Sequence, residues 1–420
     1  MKKISYLMLF VITYINAPAQ ISAIFQNTIS DSTKIQLGVQ GDYNLNATSF
    51  TNAFMTKFYK GGFIDSDLKN AVLDRTKDNN RIGAEINYGI YGAFKMDSLF
   101  HKNYFNLFFS VRNRAHFDAQ FSKDLYTVGF YGNSQYTGKT ANFNDFNLNL
   151  YRYQQFQIGL FSDKAASAVR WGVALSFLTG QQYAAVKAQT AELYTDVNAN
   201  YVNFNTSIEI AQSDINNKRY SAFNGYGSSL DLFVETAFKK HDGKSKLKIE
   251  ISDVGLIKFN DQSLYLKQDS VFHFNGFYVQ NIYDLKDSIF ANASQKGIKK
   301  SLFPLRNKSY TVIIPANLNV SFETKFNTHF HLIEGIRYIF NANYSLLSYV
   351  MANIYFTKNF MLSTSIGYGG YSNFNYGLGL SARLTGGFII NAGSHNIEGY
   401  LVPTKTSGQG AYFSLIKTFN

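Results

Sequence analysis

Between Phe374 and Thr385 the chain alternates at every position. Phe374, Tyr376, Leu378, Leu380, Ala382 and Leu384 fall on one side of an extended strand; Asn375, Gly377, Gly379, Ser381, Arg383 and Thr385 fall on the other. Such period-2 alternation makes one apolar and one polar face. A polar face of Gly, Ser, Asn and one Arg suits the lumen of a membrane barrel, with the apolar face against lipid. The pattern recurs at Lys34–Leu45, Arg81–Met96, Tyr104–Arg114, Asn144–Phe161, Val169–Phe177, Tyr226–Lys239 and Lys246–Val254. It returns more densely at Tyr310–Thr324, Phe330–Ala342, Leu346–Thr357, Phe360–Gly370, Phe388–Ser394 and Gly410–Phe419. A weaker pair lies in Ala184–Ala211, around Asp196-Val197-Asn198. If it projects as an external hairpin the chain has 14 strands; if it crosses the membrane, 16.

The connections sort by length. Those near Asp97–Asn103, Ser162–Ala168, His241–Ser245, Lys325–Thr328, Thr357–Asn359 and Gly386–Gly387 are short. The long ones, Asn46–Asn80, Ala115–Phe143, Gly255–Ser309 and His395–Gln409, all belong to the alternate set. Outer-membrane barrels have short periplasmic turns, long outer loops and both termini in the periplasm. The expected fold is therefore all-β: a transmembrane antiparallel up-and-down barrel of 14–16 strands over residues 34–420. A soluble sandwich would also alternate, but it does not explain the sorted loops. Within the loops, Asp65–Leu73 predicts a short helix with acidic residues in its first turn, where the helix dipole favours them. His116–Asn142 reads as an irregular connection. Gly255–Ser309 is the largest insertion, with an alternating piece (Ser270–Val279) and a basic run (Lys296–Lys300).

Composition agrees with a barrel and adds a compartment. Hydrophobic residues make up 45% of the chain and aromatics 17%, while charged residues reach only 16%, against about 25% in ordinary globular domains. Thirty Tyr and 39 Phe stand against one Trp and four Pro, as aromatic girdles would require. Lys2 and Lys3 precede an apolar run, Ile4–Ile15, and the small-residue site Ala17-Pro18-Ala19. Residues 1–19 thus read as a secretory leader and 20–33 as a polar periplasmic lead-in. No later segment approaches the roughly 18 uninterrupted apolar residues of a membrane helix. The chain has no Cys, which excludes a lipid-anchoring Cys, disulfides and thiol chemistry. The formal charge is +12, or +10 without Lys2 and Lys3. For an exported protein the expected counterparts are outer-membrane lipids, lipopolysaccharide phosphates or an acidic outer-membrane or surface protein, not nucleic acid.

Catalytic constellations are missing from the pattern: no G-x-S-x-G and no phosphate-binding loop occurs. His329 and His331 could share a strand face, but no carboxylate stands at ligand spacing, and no cofactor or metal is expected. The candidate functional positions are charges on inward phases: Glu85, Arg112, Arg114, Asp231, Glu235, Lys248, Glu250, Glu323, Arg337 and Arg383. Inward charges line a path or pair to fill the lumen. With both signs mixed, pairing is expected, and Arg383 should find a carboxylate on a neighbouring strand.

The block Asp124-Leu125-Tyr126 … Phe130-Tyr131-Gly132-Asn133, then Gly138-Lys139-Thr140-Ala141 and the strand with Tyr151, Tyr153 and Gln154, resembles a family of outer-membrane barrels of unknown function from Bacteroidota. So do Ser252-Asp253-Val254-Gly255-Leu256-Ile257, and the run from Asn359 through Tyr400-Leu401-Val402-Pro403 to Gly410–Phe419. The resemblance implies an outer-membrane barrel loosely similar to fatty-acid-transporter-like barrels, some of which serve secretion or membrane-assembly machines. The Asn-Pro-Ala turn of such relatives is replaced by Asn44-Leu45-Asn46-Ala47, which leaves an N-terminal plug without its motif. The alternating Phe413, Leu415 and Phe419 resemble the C-terminal insertion signal of barrel proteins. Two functions fit: an accessory or scaffold subunit that binds a partner through its outer loops, or a channel or transporter for small hydrophobic or polar solutes. An enzyme is not expected.

Overall fold

The computed structural model describes residues 33–96, 105–162, 169–240, 243–275 and 304–419. Residues 1–19, expected as a leader, residues 20–32 and Lys296–Lys300 lie outside them. Fourteen antiparallel strands close into a ring. In ring order they are β1 (Ile35–Ala47), β2 (Asn80–Lys95), β3 (Phe105–Phe121), β5 (Phe146–Ser162), β6 (Val169–Thr195), β8 (Gly225–Lys240) and β9 (Gly243–Phe259). The ring continues through β13 (Ala316–Lys325), β14 (Phe330–Phe340), β15 (Ser345–Thr357), β16 (Phe360–Gly370), β17 (Phe374–Arg383), β18 (Phe388–Ser394) and β19 (Gly408–Phe419). The seam closes between β1 and β19, from Ile35 opposite Phe419 to Asn46 opposite Gly408. A closed ring leaves no unpaired edge within the membrane, where each unsatisfied backbone group would cost several kcal/mol, ~2–7 by transfer.

The period-2 reading holds through the ring except at β-bulges. On β17, Phe374, Tyr376, Leu378 and Leu380 are exposed, and Asn375, Gly377, Gly379 and Ser381 are buried. The same phase puts Leu37, Ile90, Phe109, Phe156 and Leu175 outside.

Outside the ring lies a second sheet. The outer half of the long β6 pairs with β7 (Val202–Gln212), and β7 pairs with β10 (Leu264–Phe274). The pieces β4 (Thr140–Asn142) and β11 (Arg306–Asn307) flank it. The Ala184–Ala211 hairpin therefore projects rather than spans, which settles the strand number at 14. Two expectations are corrected. Residues 116–142 are not irregular: β3 runs on to Phe121, and a helix, α3 (Lys123–Tyr131), follows, capped by the Ser122 hydroxyl accepting from the Leu125 N–H at 3.1 Å. Tyr310–Thr324 is not one strand. It breaks into β12 (Tyr310–Ile313) and β13 at Ile314-Pro315, because Pro lacks the N–H a ladder needs.

The first outer loop folds as two helices, α1 (Asn52–Lys60) and α2 (Ser66–Leu73), each capped by a side chain, Thr51 and Asp65. The second of these is the predicted helix. Phe54, Val72, Phe121 and Tyr126 form the core of this cap, packed with Ile82 and Phe146. Ile82, Phe121 and Phe146 lie on the outward phases of β2, β3 and β5. The helices therefore cover the outer wall where those strands overrun the bilayer.

Candidate functional site: the closed lumen

The inward column of β3 orders the lumen from the periplasmic side: Phe108, Ser110, Arg112, Arg114, His116 and Asp118. Near the periplasmic end Glu235 accepts from Arg170 at 3.2 Å and from Lys246 at 3.0 Å. Above it, an apolar layer joins Tyr91, Phe108, Phe161, Ala174, Phe233, Ile389 and Ile416. Glycines on neighbouring strands seat its rings. A Cβ at Gly38 would collide with the Tyr91 ring, and one at Gly172 with Phe233.

Two buried cations follow. Arg112, 1% exposed, donates to Gln155 Oε1 at 2.7 Å and stands 3.6 Å from Asp231, which also accepts from Gln157 at 2.7 Å. Arg114 donates to Asp253 at 2.6 Å, and Gln155 donates to the same carboxylate at 3.1 Å. Asp253 was missed by period-2 reading because it sits on a β-bulge. Leu230 faces Val254 and Leu232 faces Ile251, so Asp231 alone opposes Ser252 and Asp253. The extra residue takes φ +62°, its N–H donates to Asp231 at 2.7 Å, and its carboxylate turns inward. Bulges re-aim side chains in this way.

At the outer mouth Arg337 on β14 donates to both carboxylate oxygens of Glu85 on β2, at 2.9 and 3.1 Å. These strands stand seven places apart in either direction around the ring, so the pair spans the full lumen. Both contacts come from the single nitrogen Nη2, and Nε and Nη2 also donate to Asn317 Oδ1 at 3.2 and 2.7 Å, so the guanidinium is held by a charge-assisted contact and by its neighbouring strand. Beside it the Tyr371 hydroxyl and Asp118 both reach His116 Nε2, at 3.0 and 2.9 Å. Because both meet the same nitrogen, they lock the ring and form no proton relay. Asp118 also accepts from the Asn343 N–H at 2.9 Å across the mouth. A polar cavity of about 70 Å³ remains among Asp42, Glu85, Arg114, His116, Arg337 and Tyr371, room for a few waters.

The other candidates are placed as follows. Glu250 pairs with Lys248 at 2.8 Å, and Glu323 with His331 at 3.0 Å, so His331 faces a carboxylate while His329 lies in the preceding turn. Arg383 is corrected. It keeps the inward phase but ends β17 at the periplasmic rim, exposed, with no ion pair among the described residues. Its neighbours across the ladder are Ile389 and Asn359, neither of them a carboxylate. His116, Asp118 and Tyr371, also unforeseen, lie in segments that read as loops. His116-x-Asp118 at strand spacing was the one available hint.

A closed antiparallel ring with a lipid-facing apolar surface and a polar, packed interior defines an outer-membrane β-barrel. The chain belongs to the family of unknown function DUF5723, whose pattern matches residues 28–390. No curated protein matches it. Among solved structures it is similar to a deletion mutant of the TodX monoaromatic hydrocarbon channel, at 10% identity and TM-score 0.44, covering 97% of this chain and 96% of that one. The toluene transporter TodX of P. putida aligns at 9% identity and TM-score 0.38, over 93% and 91% of the chains. The translocator domain of the autotransporter NalP from Neisseria meningitidis aligns at 8% and 0.38, over 94% and 91%. These likenesses carry no functional argument.

Proposed function

We propose that this barrel is a non-conducting, non-enzymatic accessory or scaffold subunit of the outer membrane that presents its outer sheet and helical cap to a partner. The observation that carries the reading is the Glu85–Arg337 pair joining opposite walls, stacked on Arg114–Asp253, Arg112–Asp231 and the aromatic layer. Several kcal/mol separate a buried charge with its partner from one without (~3–5), so thermal motion does not open this stack. The structured mass lies outside: the β6–β7–β10 sheet and helices α1–α3 are where a partner can reach. Planar-bilayer recording of the purified protein tests the closed lumen, with silence expected. Sustained openings of the wild type would sink the scaffold reading in favour of the solute channel, which the polar cavity at the mouth favours. Site-specific crosslinking from Val197 on the hairpin tip, exposed at 65%, should then trap an outer-membrane protein. Crosslinks to lipid alone would count against a scaffold.

A further inference from the structure

We infer that the α1–α2 junction is a membrane foot, which sits in the headgroup layer of the outer leaflet and binds phosphorylated glycolipid. Seven consecutive residues, Lys57-Phe58-Tyr59-Lys60-Gly61-Gly62-Phe63, are exposed on the cap. Phe58 is 68% exposed and Phe63 81%. Gly61 and Gly62, at φ +81° and +135°, end α1 and swing Phe63 away from the cap core. Contiguous apolar side chains rimmed by cations mark membrane or protein contacts.

The height of this stretch on the barrel chooses between those two. The Tyr59 hydroxyl meets Gln409 Oε1 at 3.5 Å, and Gln409 pairs with Leu45 across the seam. Gln409 is on the outward phase of β19, as exposed Ala411 and Phe413 are. Tyr59 therefore stands against the outer wall, ten residues above Ile35 on β1. With ~3.3 Å per residue and a tilt of about 40°, that is roughly 25 Å along the barrel axis. An outer-membrane apolar band is about 25 Å tall, with aromatic girdles at its edges. Leu401, 73% exposed on the adjacent β18–β19 loop, extends the apolar patch. Lys57 and Lys60, in the last turn of α1, make no ion pair among the described residues. They stand where the phosphates of an outer-leaflet glycolipid lie.

The test places a single tryptophan in the full-length folded protein. Trp171, the natural one, is replaced (W171F), and Trp is introduced at Phe63 (F63W) or, as a control, at the hairpin tip (V197W). Each protein is reconstituted in vesicles with a lipopolysaccharide-containing leaflet or in pure phosphatidylcholine, doped with brominated lipid. Heat-modifiable gel migration confirms folding. F63W should emit at blue-shifted wavelength and lose at least half its intensity to bromine, while V197W should behave as water-exposed. K57E/K60E should weaken quenching at position 63 only where lipopolysaccharide is present. Water-like, unquenched F63W emission in both vesicles would overturn the foot. Equal quenching in both, unmoved by K57E/K60E, would overturn the phosphate recognition.

Discussion

The two halves of this barrel wall are built differently. From β2 to β9 the ring strands run 16 to 27 residues. From β13 to β19 they run 7 to 13. A bilayer needs about 9–11 tilted residues, so the first half overshoots the membrane and the second barely spans it. The overshoot carries the hairpin, the outer sheet and the wall that α1–α3 cover. The lumens differ too. Inside the long half the contacts are ionic: Arg112–Asp231, Arg114–Asp253 and Arg170–Glu235. Inside the short half Glu323 meets His331 at 3.0 Å and Lys325 at 3.8 Å, beside a run of neutral bonds: Ser363 donates to Asn353 at 2.7 Å, Tyr349 to Asn319 at 3.0 Å, Ser381 to Asn391, and Asn391 to Ser414 at 2.6 Å. The long strands carry the outer sheet, and the short half closes the ring.

That contrast sets the largest expected effect. Arg112→Ala leaves Asp231 buried without its cation and should destabilise the folded barrel by about 3–5 kcal/mol, read as a lower urea midpoint in detergent or lipid. The R112Q/D231N double variant should recover most of the loss, because a buried pair replaced as a unit is far less costly than one broken. An R112A midpoint equal to wild type would remove the claim that the long half is held ionically. The Glu85–Arg337 pair comes next, since it ties the long half to the short one at the mouth. A double-mutant cycle with E85Q and R337Q should give a coupling of about 1–3 kcal/mol. Additive effects would mean the two walls stand independently.

The short half should respond less. Asn391→Ala removes one member of the Ser381–Asn391–Ser414 chain and should cost about 1 kcal/mol, the usual net worth of a neutral hydrogen bond. A loss as large as that of R112A would erase the distinction between the halves.

The same division explains what could be read from sequence. In the short half each strand is little more than its membrane span, so alternation is the whole message: Phe360–Gly370 and Phe388–Ser394 match to the residue. In the long half, alternation continues above the bilayer, where the outward phase is covered by helices and the lipid rule no longer applies. His116 and Asp118 were hidden there. A bulge hid Asp253, since one extra residue inverts the phase that period-2 reading relies on. The small inward residues carry a further lesson. Gly and Ser on inward positions suggest a wet channel, yet Gly38 and Gly172 are small because Tyr91 and Phe233 lie across them. Vacancy on one strand and a ring on the next are a single feature, visible only once the register is known.

The smallest expected effect sits at the outer end of the short half. Glu398 opens the short helix α4 (Glu398–Leu401) and accepts from the Tyr376 N–H at 3.2 Å, tying the β18–β19 loop to β17. Burial raises its pKa from 4.5 to about 7, against the lowering effect of that N–H. The folded state therefore holds a proton that the unfolded chain releases. The stabilisation is complete below about pH 4.5 and is lost as pH rises through about 7. Because the carboxyl is only half-buried, solvent screening keeps the effect local. Amide exchange across residues 395–407 should be slower at pH 5 than at pH 8 after correction for intrinsic rates, and E398Q should flatten that difference. An unchanged pH dependence in E398Q would overturn its assignment to this carboxyl.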